Sequence, residues 1–159
     1  MNQAFLDKLI PYAIQDEKES NVPAEVTVGQ AILESSWGDS QLATLANNFF
    51  GIKADERWDG KTINMDGSEY LHGHWIHEGM KWRKYDSIAD SIKDHSEFLH
   101  HPRYSGAFEP EASWQFFITA IARAGYATDP TYASQIITLV SGKIQQQIDR
   151  ARHEASSKT

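Results

Sequence analysis

No cysteine occurs in the 159 residues, which removes a disulfide framework, a thiol nucleophile and a thiolate metal site together. The same absence leaves the redox compartment undecided. Positive charge is scarce, with 15 Lys and Arg against 22 Asp and Glu, a formal net charge of −7. A nucleic-acid binder needs a basic footprint that displaces counterions, so no nucleic-acid partner is expected. The same excess gives no long-range attraction toward an anionic polymer. No apolar run approaches the length of a membrane span, so no membrane partner is expected either. The start, "MNQAFLDKLIPYAIQDEKES", lacks the basic head and apolar block of a secretory signal. Repeats and low-complexity linkers are absent, as are the HExxH zinc signature and the GxSxG nucleophile elbow.

What is there suits one ordinary globular domain, with 40% hydrophobic and 23% charged residues. The expected division is one domain over residues 1–150 and a polar, frayed tail over 151–159. Helical spacing of Phe5, Leu6, Leu9, Tyr12 and Ala13 predicts one helix over 3–19, or two short ones broken near Pro11. Ser20 or Asn21 is a candidate cap for a second helix with Pro23 in its first turn, ending near Gly38. A third short helix is expected after Asp39 or Ser40, with Leu42 and Leu45 inward. From Gly51 to Tyr85 the character changes, and segments 61–64, 69–75 and 80–85 read as strands. Asp66-Gly67 is the candidate tight reversal. "DSIADSIKDHSEFL" resumes helix with Ile88, Ile92 and Phe98 on one stripe, and "HHPRYSG" reads as a loop. Helices over 112–124 and 131–150 complete the chain. The fold class is α+β, mostly helical with an inserted hairpin lobe.

Five tryptophans are present, and Trp58, Trp75 and Trp82 fall in the Gly-, Asp- and His-rich stretch. There they form either a carbohydrate platform or cross-strand pairs of a small sheet. In "AILESSWGDS", Glu34 follows Ala31, Ile32 and Leu33, with Trp37 one turn later. A carboxyl kept protonated by apolar surroundings is what glycosidic cleavage requires of its acid. An exposed helix residue is the plain alternative. Glu69 in "DGSEYLHG" is the candidate second carboxylate, with Asp55, Glu56, Asp59 and Asp66 as rivals. If it is a base for water, its carboxyl should stand about 6.5–9.5 Å from that of Glu34 in the closed lobe. His72, His74 and His77 share the hairpin, but their spacing fits no established zinc site, so neither metal nor cofactor is expected. Tyr126, after a glycine in "AGYATDPTYASQI", either projects into a cleft or closes a helix corner.

"AILESSWGDSQLA", "NNFFGIKA", "WDGK", "SEY", "WRKYDSIADSIKDHSEFL" and "AGYATDPTYASQI" occur in this order along the chain. Together they resemble the glucosaminidase domain of glycoside hydrolase family 73, over roughly residues 5–148. The resemblance implies a lysozyme-like fold, in which a helical lobe and a small β-hairpin lobe flank a substrate groove. It implies an endo-β-N-acetylglucosaminidase acting on peptidoglycan glycan strands, working as a monomer. It places Glu34 at the general acid, Glu69 at the second carboxylate and Tyr126 in the GYATDP motif. Trp37 joins the apolar wall beside Glu34, and Asn48, Phe50, Gly51, Lys53 and Trp58 fall in motifs expected to shape the groove. Glu69 acts either as a base or beside an attacking substrate acetamido group. A lytic transglycosylase and a non-catalytic glycan-binding module are the rival readings. With no leader evident, a phage endolysin or virion-associated lysin is expected, or a fragment of an exported autolysin.

Overall fold

The structure, a computed structural model, describes residues 1–71 and 74–158, and for 66–71 and 74–78 the backbone alone. Helix α1 (Gln3–Ser20) is capped by Asn2, whose side chain accepts from the Phe5 amide. It runs unbroken through Pro11, which lies on its exposed face, where water can serve the carbonyl that loses its helical partner. Asn21 turns out to close α1 in the left-handed conformation rather than open the next helix, with φ of 61°. Helix α2 (Ala24–Ser35) then starts directly at Pro23 without a side-chain cap.

Every residue from Ala24 to Ile32 is buried, so α2 is the central rod of the molecule. Helices α1, α5 (Trp114–Arg123), α6 (Tyr132–Val140) and α7 (Lys143–Ser157) all pack against it. Gly29 makes the α6 approach possible. A Cβ there would stand 2.7 Å from Ile136 Cγ2 and 2.9 Å from Val140 Cγ2. The short α3 (Gln41–Ala46) buries Ala43 and Ala46 and leaves Leu45 58% exposed, reversing the expected facing.

Strands β1 (Thr62–Leu71) and β2 (His74–Arg83) pair antiparallel over their whole length. Asp66 and Gly67 pair with Gly79 and Glu78 inside this ladder, so they are not the reversal the sequence suggested. A ten-residue strand overrides a local turn preference once its partner supplies the hydrogen bonds. Helix α4 (Ile88–Leu99), capped by Ser87, buries Ile92, His95 and Leu99. Pro102–Ala107 is a 3₁₀ helix, where the sequence suggested only a loop.

The expected single helix over 131–150 is two, because Gly142 adopts φ of 107° between α6 and α7. Nor is the tail frayed: α7 continues to Ser157, with Ala151 and Ala155 packed on the core. Arg152 is the reason. Its guanidinium reaches Glu17 at 3.0 Å and Glu25 at 2.9 Å, and the Glu25 side chain is only 5% exposed. Replacing Arg152 by alanine leaves that buried carboxylate without its ion partner and with the Gln145 amide as its remaining donor, and a loss of about 2 kcal/mol in unfolding free energy is expected. A urea titration of the variant with an unchanged midpoint would show the pair to be idle.

Candidate active site

The last turn of α2 brings Glu34 out of the core onto the wall of an open hollow of about 360 Å³. Phe50, Gly51, Lys53, Asp55, Arg83, Phe98 and Tyr126 are among its other walls. A second hollow of similar size shares Asp55, Arg83 and Phe98 and continues past Arg57, His101 and Arg103, so the depression is an extended groove. A larger hollow of about 520 Å³ lies between α1 and α7, and Glu34 is not among its walls. Size alone does not locate the chemistry.

Glu34 is reached by solvent from the groove yet walled by protein, and this desolvation raises its pKa. One opposing contact lowers it: Tyr132 donates its hydroxyl to Glu34 Oε1 at 3.2 Å. Gly51 comes near on the other side, with φ of 64°. A Cβ at Gly51 would sit 3.9 Å from Glu34 Oε2, so its absence widens the space in front of that oxygen.

Tyr126 is half-buried in a nest of rings, 5.7 Å from Tyr132, 6.1 Å from Tyr104 and 6.2 Å from Phe98. Both open readings of it therefore hold in part, since it closes a helix corner and also lines the groove. Burial, with help from Tyr132 and Glu34, holds its phenol well above the ordinary tyrosine range. It stays a neutral hydroxyl at any working pH.

Of the residues expected to shape the groove, Phe50, Gly51 and Lys53 line it. Asn48 does not. It is 1% exposed, donates to the carbonyls of Ile52 and Arg83 at 2.9 Å each and accepts from the Ile52 amide. Its role is to brace the loop that carries Phe50 and Gly51. Trp37 is also off the groove wall, because α2 ends at Ser35 and Ser36, Trp37 and Gly38 all have positive φ, which redirects the chain. Trp58 acts from behind: its ring stacks on the Arg83 guanidinium at 4.7 Å, and its indole N–H donates to the Lys61 carbonyl. Arg83 itself donates to both oxygens of Asp94 and to the Lys53 carbonyl, pinning the root of the hairpin to α4.

The side chains of Glu69, His72, His74 and His77 lie outside the described residues. So does the Glu34–Glu69 separation. The backbone places Glu69 in β1, opposite Ile76. Among the described residues no group of three metal-ligating side chains occurs.

Sequence reasoning passed over Tyr132 and Gln30. Gln30 stands four residues before Glu34, on the same helical face, and is the one amide side chain in an otherwise apolar run. Tyr132 opens α6 because the Asp129 carboxylate accepts from the Thr131 amide and hydroxyl and from Gln135. An acidic turn followed by a tyrosine at the first helical position is a legible signal, though its partner 98 residues away is not.

Comparison with known proteins places the chain in a family. Peptidoglycan hydrolase FlgJ of Vibrio parahaemolyticus is 34% identical over 139 residues, 85% of this chain and 45% of its own length. Exo-glucosaminidase LytG of Bacillus subtilis is 34% identical over 144 residues, covering 87% of this chain and 50% of its own length. The chain thus spans about half the length of these curated relatives. Among solved structures, the catalytic domain of the autolysin Auto from Listeria monocytogenes superposes with a TM-score of 0.81 at 28% identity. That match covers 94% of this chain and 86% of the other. The glycoside hydrolase domain of Salmonella typhimurium FlgJ, C-terminally truncated, gives 0.71 at 33% identity, covering 90% and 95%. The expected lysozyme-like α+β fold therefore stands. The family described as mannosyl-glycoprotein endo-beta-N-acetylglucosaminidase matches residues 10–143, and the chain belongs to this glucosaminidase family.

Proposed function

We propose that the chain is a peptidoglycan hydrolase, an endo-β-N-acetylglucosaminidase that cuts the β-1,4 bond between N-acetylglucosamine and N-acetylmuramic acid. One observation carries the reading: a carboxyl with a raised pKa stands on the wall of an extended groove. Glu34 gives its proton to the glycosidic oxygen as the bond to the anomeric carbon breaks, so the muramic acid leaves as an alcohol. The anomeric carbon is left electron-poor and takes water, either directly or after attack by the substrate's own acetamido oxygen. Glu69, carried by the hairpin, is the candidate base for that water. Tyr126, held neutral, offers a hydroxyl to the sugar or its N-acetyl group. The groove is the binding site for the glycan strand, and the work is done at the bacterial wall.

Mass spectrometry of fragments released from purified walls tests the bond cut. Reducing N-acetylglucosamine ends are expected. An anhydromuramic end makes the chain a lytic transglycosylase, a reducing muramic acid end makes it a muramidase, and retention without release makes it a binding module. Glu69→Gln is expected to slow release at least tenfold with glycan retention unchanged, if Glu69 activates water. A variant of full rate removes Glu69 from the chemistry and leaves the acetamido route.

A further inference from the structure

Beneath Glu34 lies a line of buried polar groups that core packing does not require. His95 Nε2 is 2.8 Å from Gln30 Oε1, Gln30 Nε2 is 2.9 Å from Tyr132 Oη, and Tyr132 Oη is 3.2 Å from Glu34 Oε1. Gln30 and His95 are both 0% exposed, and the imidazole is stacked on the Phe50 ring at 3.8 Å. His95 Nδ1 meets no partner. Burial pushes its pKa down to about 3, so the ring is neutral and carries one proton.

We infer that Gln30 and His95 are positioning residues whose hydrogen bonds run in one direction, His95 to Gln30 to Tyr132 to Glu34, and reserve Glu34 Oε2 for the catalytic proton. The inference rests on Glu34 being the acid of the reaction. The direction follows from the orphaned Nδ1. With the ring proton on Nε2, the buried atom without a partner is a bare acceptor. With the proton on Nδ1 it would be a buried N–H with nothing to donate to, which folded proteins rarely tolerate. A proton on Nε2 must go to Gln30 Oε1, which leaves the amide nitrogen to donate to Tyr132. A phenol that already accepts there has its own single proton free for Glu34 Oε1. An oxygen accepting that bond has no call for a second proton along the same line. The acid proton therefore rides on Oε2, the oxygen facing the space that Gly51 leaves open. Were the chain reversed, Tyr132 would accept from Glu34, and the proton would sit on Oε1, pointing into the protein.

Two measurements test this. In wild-type protein, ¹⁵N shifts of His95 should report a neutral ring protonated at Nε2 across pH 4–8, with no activity assay involved. A ring protonated at Nδ1 reverses the chain and overturns the inference. In Gln30→Met, which keeps the volume but removes the hydrogen bonds to His95, Tyr132 and Tyr126, kcat should fall on the order of tenfold. KM should stay unchanged. The alkaline limb of the pH–rate profile should also move upward, because Tyr132 no longer reliably donates to the Glu34 carboxylate. Of the groups facing Glu34 from other elements, Lys53, Asp55 and Arg83 are untouched by the substitution, whereas Tyr126 loses its own side-chain hydrogen bond to Gln30. A folded Gln30→Met enzyme with an unmoved limb refutes the positioning role. If that variant does not fold, the tautomer of His95 decides alone. Should Glu34→Gln stay active while His95 is protonated at Nε2, it is the assignment of the acid that fails, and the buried chain stands.

Discussion

Glu34→Gln is expected to reduce the release of wall fragments by 10²-fold or more, the loss usual for removing a general acid. Glutamine keeps the shape and can still accept from Tyr132, whose hydroxyl lies 3.2 Å from Oε1. Only the transferable proton is gone. The wild-type rate should fall as pH rises through the Glu34 pKa, since the acid must be protonated to act. Desolvation raises that pKa and so carries the active range toward neutrality. Stability gives a second signature with a definite sign. A carboxyl whose pKa is higher in the folded than the unfolded chain favours folding at low pH. It loses that contribution as pH rises through the folded value. Above that pH the wild type holds a carboxylate in a place that disfavours charge, and the glutamine variant does not. Its melting temperature at neutral pH should therefore equal or exceed that of wild type while activity is lost. Turnover near the wild-type rate in the folded variant would falsify the assignment.

Gly29→Leu carries the largest expected effect on the fold. Gly29 lies in mid-helix, where glycine costs about 1 kcal/mol relative to alanine, so its presence needs a packing reason. The reason is the closeness of α2 and α6, where even a Cβ would stand 2.7 Å from Ile136 Cγ2. That methyl belongs to a β-branched residue on a helix and has little freedom to retreat. A leucine side chain must push the helices apart, at a net cost of about 2–3 kcal/mol after its better helix propensity is counted. For a chain of this size that is a drop of roughly 5–10 °C in Tm. Activity per folded molecule should fall as well, because Tyr132 lies one turn from Ile136 on the displaced helix. A variant melting at the wild-type temperature would mean that the two helices do not meet at this glycine.

The sequence by itself determined the class and singled out Glu34 as the candidate acid. Helical periodicity, the change of character after Gly51 and the ordered motifs were enough for an α+β lysozyme-like chain with Glu34 at the end of an apolar helix. Those signals are local, lying within a few turns of backbone, and local patterns are what a sequence displays directly. The tertiary structure decided which neighbours matter. Asn48 looked like a groove residue, but three backbone groups of its own loop and the β2 root consume its amide. Trp37 was placed beside Glu34 by helical spacing that ends at Ser35. The tail was read as frayed because its composition is polar, yet Arg152 finds Glu17 and Glu25, 135 and 127 residues earlier. Tyr132 meets Glu34 across 98 residues and His95 meets Gln30 across 65, through contacts that no periodicity encodes. Hydrogen bonds between distant segments depend on where packing brings the helices. For this protein the sequence carried the candidate acid, and only the folded core showed the buried line of Tyr132, Gln30 and His95 that reaches it.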